Sequence, residues 1–366
     1  MPPRRINKIQ HQVLSWFEQN GRDLPWRKSY SPYQVWISEI MLQQTQVKTV
    51  IPYFLRWMER FPDPAAVAAA SERDIMLAWE GLGYYTRAKN IHRTAQILVS
   101  NFGGCIPDDF NALIALPGIG RYTAGAIQSI AFKLDFPAVD ANAARILRRL
   151  FYKLNSSGSA IPETALRKLA AEILPRGRAR QFNQALMDLG ATICLPESPR
   201  CDCCPLAEFC EGKKCGLSEL ESGSNRSRTA TPIEVSIGVI IRDGLIFIQK
   251  RPDKGLMPYL WEFPGGKINE GESPKKAVVR EIKEELGIGV RPLEKLALIR
   301  HSYTRFRVAL HAYLCEVCDV LPRKEPVLSA AVECRWVLPA ELALYPFPAA
   351  NRRLIGILLD RFGNSA

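Results

Sequence analysis

Four cysteines, Cys194, Cys201, Cys204 and Cys210, stand in the spacing C-x6-C-x2-C-x5-C. Four thiolates so close in sequence can share one inorganic centre, and an all-cysteine set suits an iron-sulfur cluster or zinc. The uneven spacing differs from the paired C-x2-C knuckles usual for structural zinc. The segment SPRCDCCPLAEFC is too short and too rich in Pro and Cys to hold its shape by burial, so a metal is expected to organise it. A second group is acidic: Glu281, Glu284 and Glu285 fall at i, i+3 and i+4 of one helix, a carboxylate face suited to Mg2+ bridging a diphosphate. Arg280 and Glu272 can orient that face, and the Gly265-Gly266 turn can bring a carbonyl to the metal. A third candidate is Glu39, set in WISEIMLQQT among large apolar neighbours that keep a carboxyl protonated and fit for general-acid work.

The elements that must position these groups differ between the two halves of the chain. From Ile6 to about Gly216, apolar residues recur at helical spacing in VLSWFEQ, VWISEIMLQQ and TAGAIQSIAF, which predicts an all-helical domain over 1–215. GLSELESGSNRSRTATP breaks the periodicity and reads as a linker over 216–231. Alternating runs such as VSIGVII, LIFIQK and RVALHAYL follow, interrupted by the helix SPKKAVVREIKEELG, so 232–366 reads as an α+β domain. Within the helical half, LPGIGRYTAGA places Gly118 and Gly120 in a tight turn before a helix, where backbone amides can face a phosphate. Twenty residues past Gly120, FPAVDAN delivers Asp140 to the start of another helix.

The chain has 366 residues and a formal charge of +12, shared evenly by residues 1–225 and 226–366, which favours a polyanionic partner and excludes a simple basic tail. The N-terminus lacks a signal-peptide apolar core and no segment has the length and apolarity of a membrane span, so a cytoplasmic, nucleoid-associated monomer with reduced thiols is expected. Cys105, Cys203, Cys215, Cys315, Cys318 and Cys334 fall outside the four-cysteine spacing and read as bystanders.

The cysteine spacing, LPGIGRYTAGA and the following aspartate together resemble the helix-hairpin-helix DNA glycosylases of the endonuclease III and MutY group, which carry a 4Fe-4S cluster. Members that also cleave the strand carry a lysine at the position of Tyr122, so the resemblance implies base removal without lyase chemistry. With WISEIMLQQT and VDANAARILRR added, residues 6–215 are similar to the MutY family of adenine DNA glycosylases. Adenine leaves deoxyribose poorly unless a ring nitrogen is protonated, and a second carboxylate must then stabilise the cationic sugar, as in glycoside hydrolysis. The resemblance implies Glu39 as the acid, Asp140 as the stabilising carboxylate, and Tyr122 and Asn142 as supports. It implies Gln43 and Gln44 entering the duplex, Tyr84 wedging beside the lesion, and a base flipped out of double-stranded DNA bearing adenine opposite 8-oxoguanine. Arg121, Arg145, Arg148 and Arg149 are expected at the phosphate backbone.

The segment Gly266-x5-Glu272-x7-Arg280-Glu281-Ile282-x-Glu284-Glu285-x-Gly287-Ile288 fills every fixed position of the Nudix box, which implies an α/β/α sandwich. In MutY-type proteins this box has generally decayed; here it is intact. By similarity to MutT-type Nudix hydrolases, Phe263 and Asn351 would hold an oxidised purine nucleotide. By similarity to the MutY family, the lesion would meet the loop at Tyr303, Thr304 and Arg305, where Tyr-Thr-Arg replaces the usual Phe-Ser-His. The alternative to an adenine glycosylase is thus an active Nudix hydrolase fused to a damage-binding domain.

Overall fold

Eleven residues from Pro32 to Leu42 form a helix that is buried on nearly every face: Tyr33, Val35, Trp36, Ile37, Ile40 and Met41 all lie in the interior. Ser31 caps it by accepting a bond from the Gln34 amide, and Pro32 supplies a preset backbone at the first turn. A helix apolar all round belongs in a core. Glu39, its one acidic residue, is therefore carried into the interior, at 5% exposure.

In this computed structural model the described residues are 2–152, 161–216, 231–253, 255, 257–303, 306–318 and 326–362. They divide into two compact units, Met1–Ala69 with Asn90–Ser227, and Ala70–Lys89 with Arg228–Ala366. The expected linker lies, apart from Gly216 and Thr231, outside the described residues. Residues 70–89, read in the sequence as part of the helical domain, pack with the C-terminal unit.

The first unit is helical. Helix Phe110–Ile114, capped by Asp109, leads through the turn Leu116–Gly120 into helix Arg121–Ala126, which relaxes into a π-helical stretch over Ile127–Ala131. Gly118 has a φ of 78°, and a Cβ there would sit 2.9 Å from Asn90 Cβ, so the tight turn requires glycine. Helix Ala141–Leu150 packs against helix Ala179–Thr192 around Leu147, Leu150, Phe182, Ala185 and Leu189, and Cys194, Cys204 and Cys210 pack on the same core. The cysteine loop is thus built directly on the helix that Asp140 starts.

The second unit contains a mixed sheet of β1 (Thr231–Arg242), β2 (Leu245–Lys250), β3 (Trp261–Glu262), β4 (Gly265–Lys267), β5 (Val290–Tyr303), β6 (Phe306–Val317) and β7 (Glu333–Val337). β1 pairs parallel to β6 from Thr231–Phe306 to Ile240–Cys315; the other pairings are antiparallel. Helix Pro274–Leu286 covers one face through Val278, Ile282 and Leu286 on Ile240 and Phe247. Helix Ala349–Phe362 covers the other through Leu354, Ile355 and Leu358 on Ile237, Ile246 and Ile248. This is the expected sandwich, with a sheet apolar on both faces between two helical layers.

At Gly190 the two helices below Asp140 approach closely: a Cβ there would lie 2.5 Å from Asn142 Cβ and 3.0 Å from its Cα. Overpacking costs about 1–3 kcal/mol, against the ~1 kcal/mol of helix propensity that alanine brings. Gly190→Ala is therefore expected to lower the urea midpoint rather than raise it. A midpoint at or above wild type would show that the helices can part freely at this contact.

Candidate active site

Glu39, Tyr122, Asp140 and Asn142, with Gln43 and Gln44, line one cleft of about 1800 Å³ that is partly open to solvent. Three separate stretches of sequence converge there. The Tyr122 hydroxyl donates to Glu39 Oε2 at 2.5 Å. Burial pushes the Glu39 carboxyl up to about 7; the Tyr122 bond opposes this, the Asp140 charge adds to it, and Arg27 opposes it. Burial and the two carboxylates hold the Tyr122 phenol well above its ordinary value, so it stays a donor.

Asp140 has extended backbone and caps helix Ala141–Leu150, its Oδ1 accepting the Ala143 amide at 2.7 Å. Its other oxygen accepts from Asn142 Nδ2 at 2.8 Å. Burial raises the Asp140 pKa, while these two bonds and the Arg145 charge favour the carboxylate. Arg145 continues the chain. Its Nη2 donates to Asn142 Oδ1 at 2.8 Å and Gly190 O at 2.7 Å, and its Nε to Cys194 O at 2.7 Å. Arg149, 5% exposed, donates to Leu195 O and Pro196 O, each at 2.7 Å, and to Cys194 Sγ at 3.4 Å. Both arginines, expected at a phosphate backbone, are turned inward instead, because the carbonyls of the cysteine loop need buried donors. Arg148 is exposed.

Cys194, Cys201, Cys204 and Cys210 line one small pocket of about 40 Å³ together with Arg149, Arg200 and Lys213. Burial and the neighbouring thiolates push Cys204 up to about 11, and Cys201 and Cys210 upward, so the thiols share one electrostatic environment. Among the described residues no group of His, Cys, Asp or Glu is arranged to hold a metal ion. The donor set is four soft thiols around a cavity with basic walls.

Arg22, Arg27 and Gln184 also line the cleft and were not singled out from the sequence. Asp188, fully buried, holds the two arginines: Arg27 Nη1 and Nη2 lie 2.7 and 2.9 Å from its oxygens, and Arg22 Nη2 2.6 Å. A charge on the otherwise apolar stripe of QALMDLG was the available signal. Gln44, exposed, has a φ of 57° just past the Glu39 helix. Gly118, Gly120 and Arg121 occupy the hairpin turn, and Gly120 starts its helix without a side-chain cap.

In the second unit Tyr84 is 45% exposed with a φ of 49°. Arg280 grips Glu272 with two bonds of 2.9 Å and reaches Glu281 at 2.8 Å and Glu284 at 3.2 Å. Glu285 accepts from the Gly265 amide at 3.1 Å and Gln249 at 3.0 Å, and burial pushes it up to about 7. A Cβ on Gly266 would lie 2.2 Å from Glu281 Oε2, so a side chain there would displace that carboxylate. Phe263 and Asn351 are 1% and 5% exposed, Phe263 stacked on Phe347 at 5.6 Å. Tyr303 ends β5, and Thr304 and Arg305 lie outside the described residues.

Residues 37–172 match the model of the HhH-GPD superfamily of base excision DNA repair proteins, and residues 236–356 match that of the NUDIX domain. The chain is 41% identical over 254 residues to an adenine DNA glycosylase of Buchnera aphidicola (subsp. Baizongia pistaciae), covering 69% of this chain and 72% of that one. It is 32% identical over 408 residues to the Homo sapiens adenine DNA glycosylase, covering 96% and 74%. Among solved structures, a thermostable thymine-DNA glycosylase superposes with a TM-score of 0.54 at 28% identity, over 58% of this chain and 98% of that one.

The raised Glu39 pKa carries a stability signature. Its folded value of about 7 exceeds the ordinary 4.5, so the folded state binds the extra proton between those values and stability falls as pH rises through them. The cost above pH 7 is at most about 3 kcal/mol. Glu39→Gln is expected to melt close to wild type at pH 5 and above it at pH 8. Equal melting temperatures at both pH values would place the Glu39 pKa near that of a free carboxyl.

Proposed function

The chain belongs to the adenine DNA glycosylases of base excision repair, and we propose that it removes adenine opposite 8-oxoguanine in duplex DNA by using Glu39 as proton donor and Asp140 as sugar stabiliser. The observation that carries this reading is the Tyr122–Glu39 bond of 2.5 Å inside a cleft that Asp140 also lines. A carboxyl with a pKa near 7 still holds its proton in a large fraction of molecules at neutral pH and can give it to a nitrogen of the purine. As the N-glycosidic bond breaks, its electron pair leaves with the base as neutral adenine, and positive charge develops on the sugar. The Asp140 carboxylate, held by the Ala143 amide and Asn142, faces that charge. Water then adds to the sugar carbon and loses a proton, leaving an abasic site. With Tyr122 in place of an amine, the sugar forms no Schiff base with the protein.

The chemistry requires the base out of the stack. Gln43, Gln44 and Tyr84 enter the duplex in this reading, and the hairpin turn at Gly118–Arg121 presents amides to a phosphate. Cys194, Cys201, Cys204 and Cys210 would hold a 4Fe-4S cluster: four thiols lining one cavity suit an all-thiolate group, and Arg149, Arg200 and Lys213 would offset its negative charge. When bound, the cluster stiffens the loop that supports Arg145 and through it Asn142 and Asp140.

A second activity is favoured by one observation, the intact cage of Glu272, Arg280, Glu281, Glu284 and Glu285. These carboxylates would hold Mg2+, which neutralises a diphosphate; burial, and secondarily the charges of Glu262 and Glu281, raise the Glu285 pKa. Oxidised purine nucleotides are the substrates in this reading.

Single-turnover release of adenine from a duplex with adenine opposite 8-oxoguanine tests the first reading. Glu39→Gln and Asp140→Asn are each expected to lower the rate by at least about 100-fold. Full activity in either variant would remove that residue from the mechanism. For the second reading, Glu284→Gln is expected to abolish Mg2+-dependent pyrophosphate release from 8-oxo-dGTP while leaving adenine release intact; a wild type without that release would sink it.

A further inference from the structure

Tyr84 and the C-terminal fold belong to one compact unit. The stretch that carries it is locally prebuilt. Gly81, Gly83 and Tyr84 all have positive φ, at 97°, 71° and 49°. Trp79 Nε1 donates to Gly83 O at 3.1 Å, and the Gly81 amide donates to Tyr85 Oη at 3.2 Å. Arg87, 8% exposed, donates to Leu82 O and Gly83 O, both at 3.0 Å, and lies over the Tyr84 ring at 5.5 Å. Such a loop holds an aromatic ring outward at little further entropic cost.

The loop is fastened at its entrance by a residue 272 positions away. Glu80 ends helix Glu72–Trp79 and receives both Nε and Nη2 of Arg352, each at 2.6 Å. Arg352 also donates to Leu342 O and Tyr345 O, so its guanidinium is fixed to the Nudix fold before it meets Glu80. It sits beside Asn351 on helix Ala349–Phe362. At the far end of the stretch, Lys89 Nζ lies 4.0 Å from the centre of the Tyr259 ring. A bidentate arginine-carboxylate pair imposes geometry as well as energy.

We propose that Arg352 is a positioning residue that, through Glu80, sets the Tyr84 wedge relative to the purine-reading face of the Nudix fold. The clamp makes discrimination of 8-oxoguanine from guanine a joint property of the wedge and that fold. This rests on the readings that Tyr84 enters the duplex and that the Nudix fold meets the oxidised purine opposite the adenine.

The experiment compares single-turnover adenine release opposite 8-oxoguanine with that opposite guanine, using the full chain as wild type, Tyr84→Ala, Glu80→Gln, Arg352→Gln and the double variant. Each clamp variant is expected to lower the ratio of the two rates by about three- to thirtyfold, and the double variant no further than the singles. Faster amide exchange at residues 79–86 without slower melting of the rest is the accompanying signature. An unchanged ratio or unchanged exchange in folded variants, or additive losses in the double variant, overturns the clamp. If Tyr84→Ala itself leaves the ratio unchanged, the wedge reading fails and the clamp with it, whereas loss in Tyr84→Ala alone strikes only the clamp.

Discussion

A charge removed from water must find partners or give up its ionised form, and the first unit is organised around that constraint. Its interior holds Glu39, Asp188 and Arg149, and Asp140 lies in the cleft beside them, each answered differently. Asp188 is met by two arginines, and its pKa falls despite burial. Asp140 is met by a helix amide and Asn142. Arg145 and Arg149 are met by the carbonyls of the cysteine loop. Glu39 receives one hydroxyl and no guanidinium bond among the described contacts, and burial moves it to about 7. The unequal answers give two carboxyl groups of one cleft different surroundings.

The same constraint links the cysteine loop to the cleft. Asp140, Asn142, Arg145 and Cys194 form a continuous run of hydrogen bonds, none longer than 2.8 Å. Gly190 lets the two helices approach closely enough for Arg145 to span them. A loop with little core of its own thereby supports the helix terminus that presents Asp140.

Much of this was legible in the residues. Helical periodicity gave the first unit, alternation gave the sheet, and the spacing of glutamates placed three carboxylates on one helix face. Glu39 was readable as a buried acid because Trp36, Ile37, Ile40, Met41 and Leu42 around it are large and apolar. What could not be read was partner choice across the fold. Arg145 and Arg149 looked like surface cations, since a basic stripe on a helix has the same sequence signature whether it faces phosphate or buried carbonyls. Arg27 and Gln184 enter the site by tertiary packing, with no local motif. The grouping of residues 70–89 with the C-terminal unit depends on contacts nearly 300 positions apart, such as Glu80 with Arg352. Phe263 is buried and stacked on Phe347, a pairing that no local pattern in the sequence signals.

The central claim is that Glu39 enters the reaction protonated. A pH titration of its side-chain carboxyl by carbon NMR, in the free protein and with Glu39→Gln identifying the resonance, tests this without any catalytic turnover. The account predicts a midpoint near 7 that falls when Asp140→Asn removes the neighbouring charge. A midpoint near the ordinary carboxylate value, unmoved by that substitution, would contradict it.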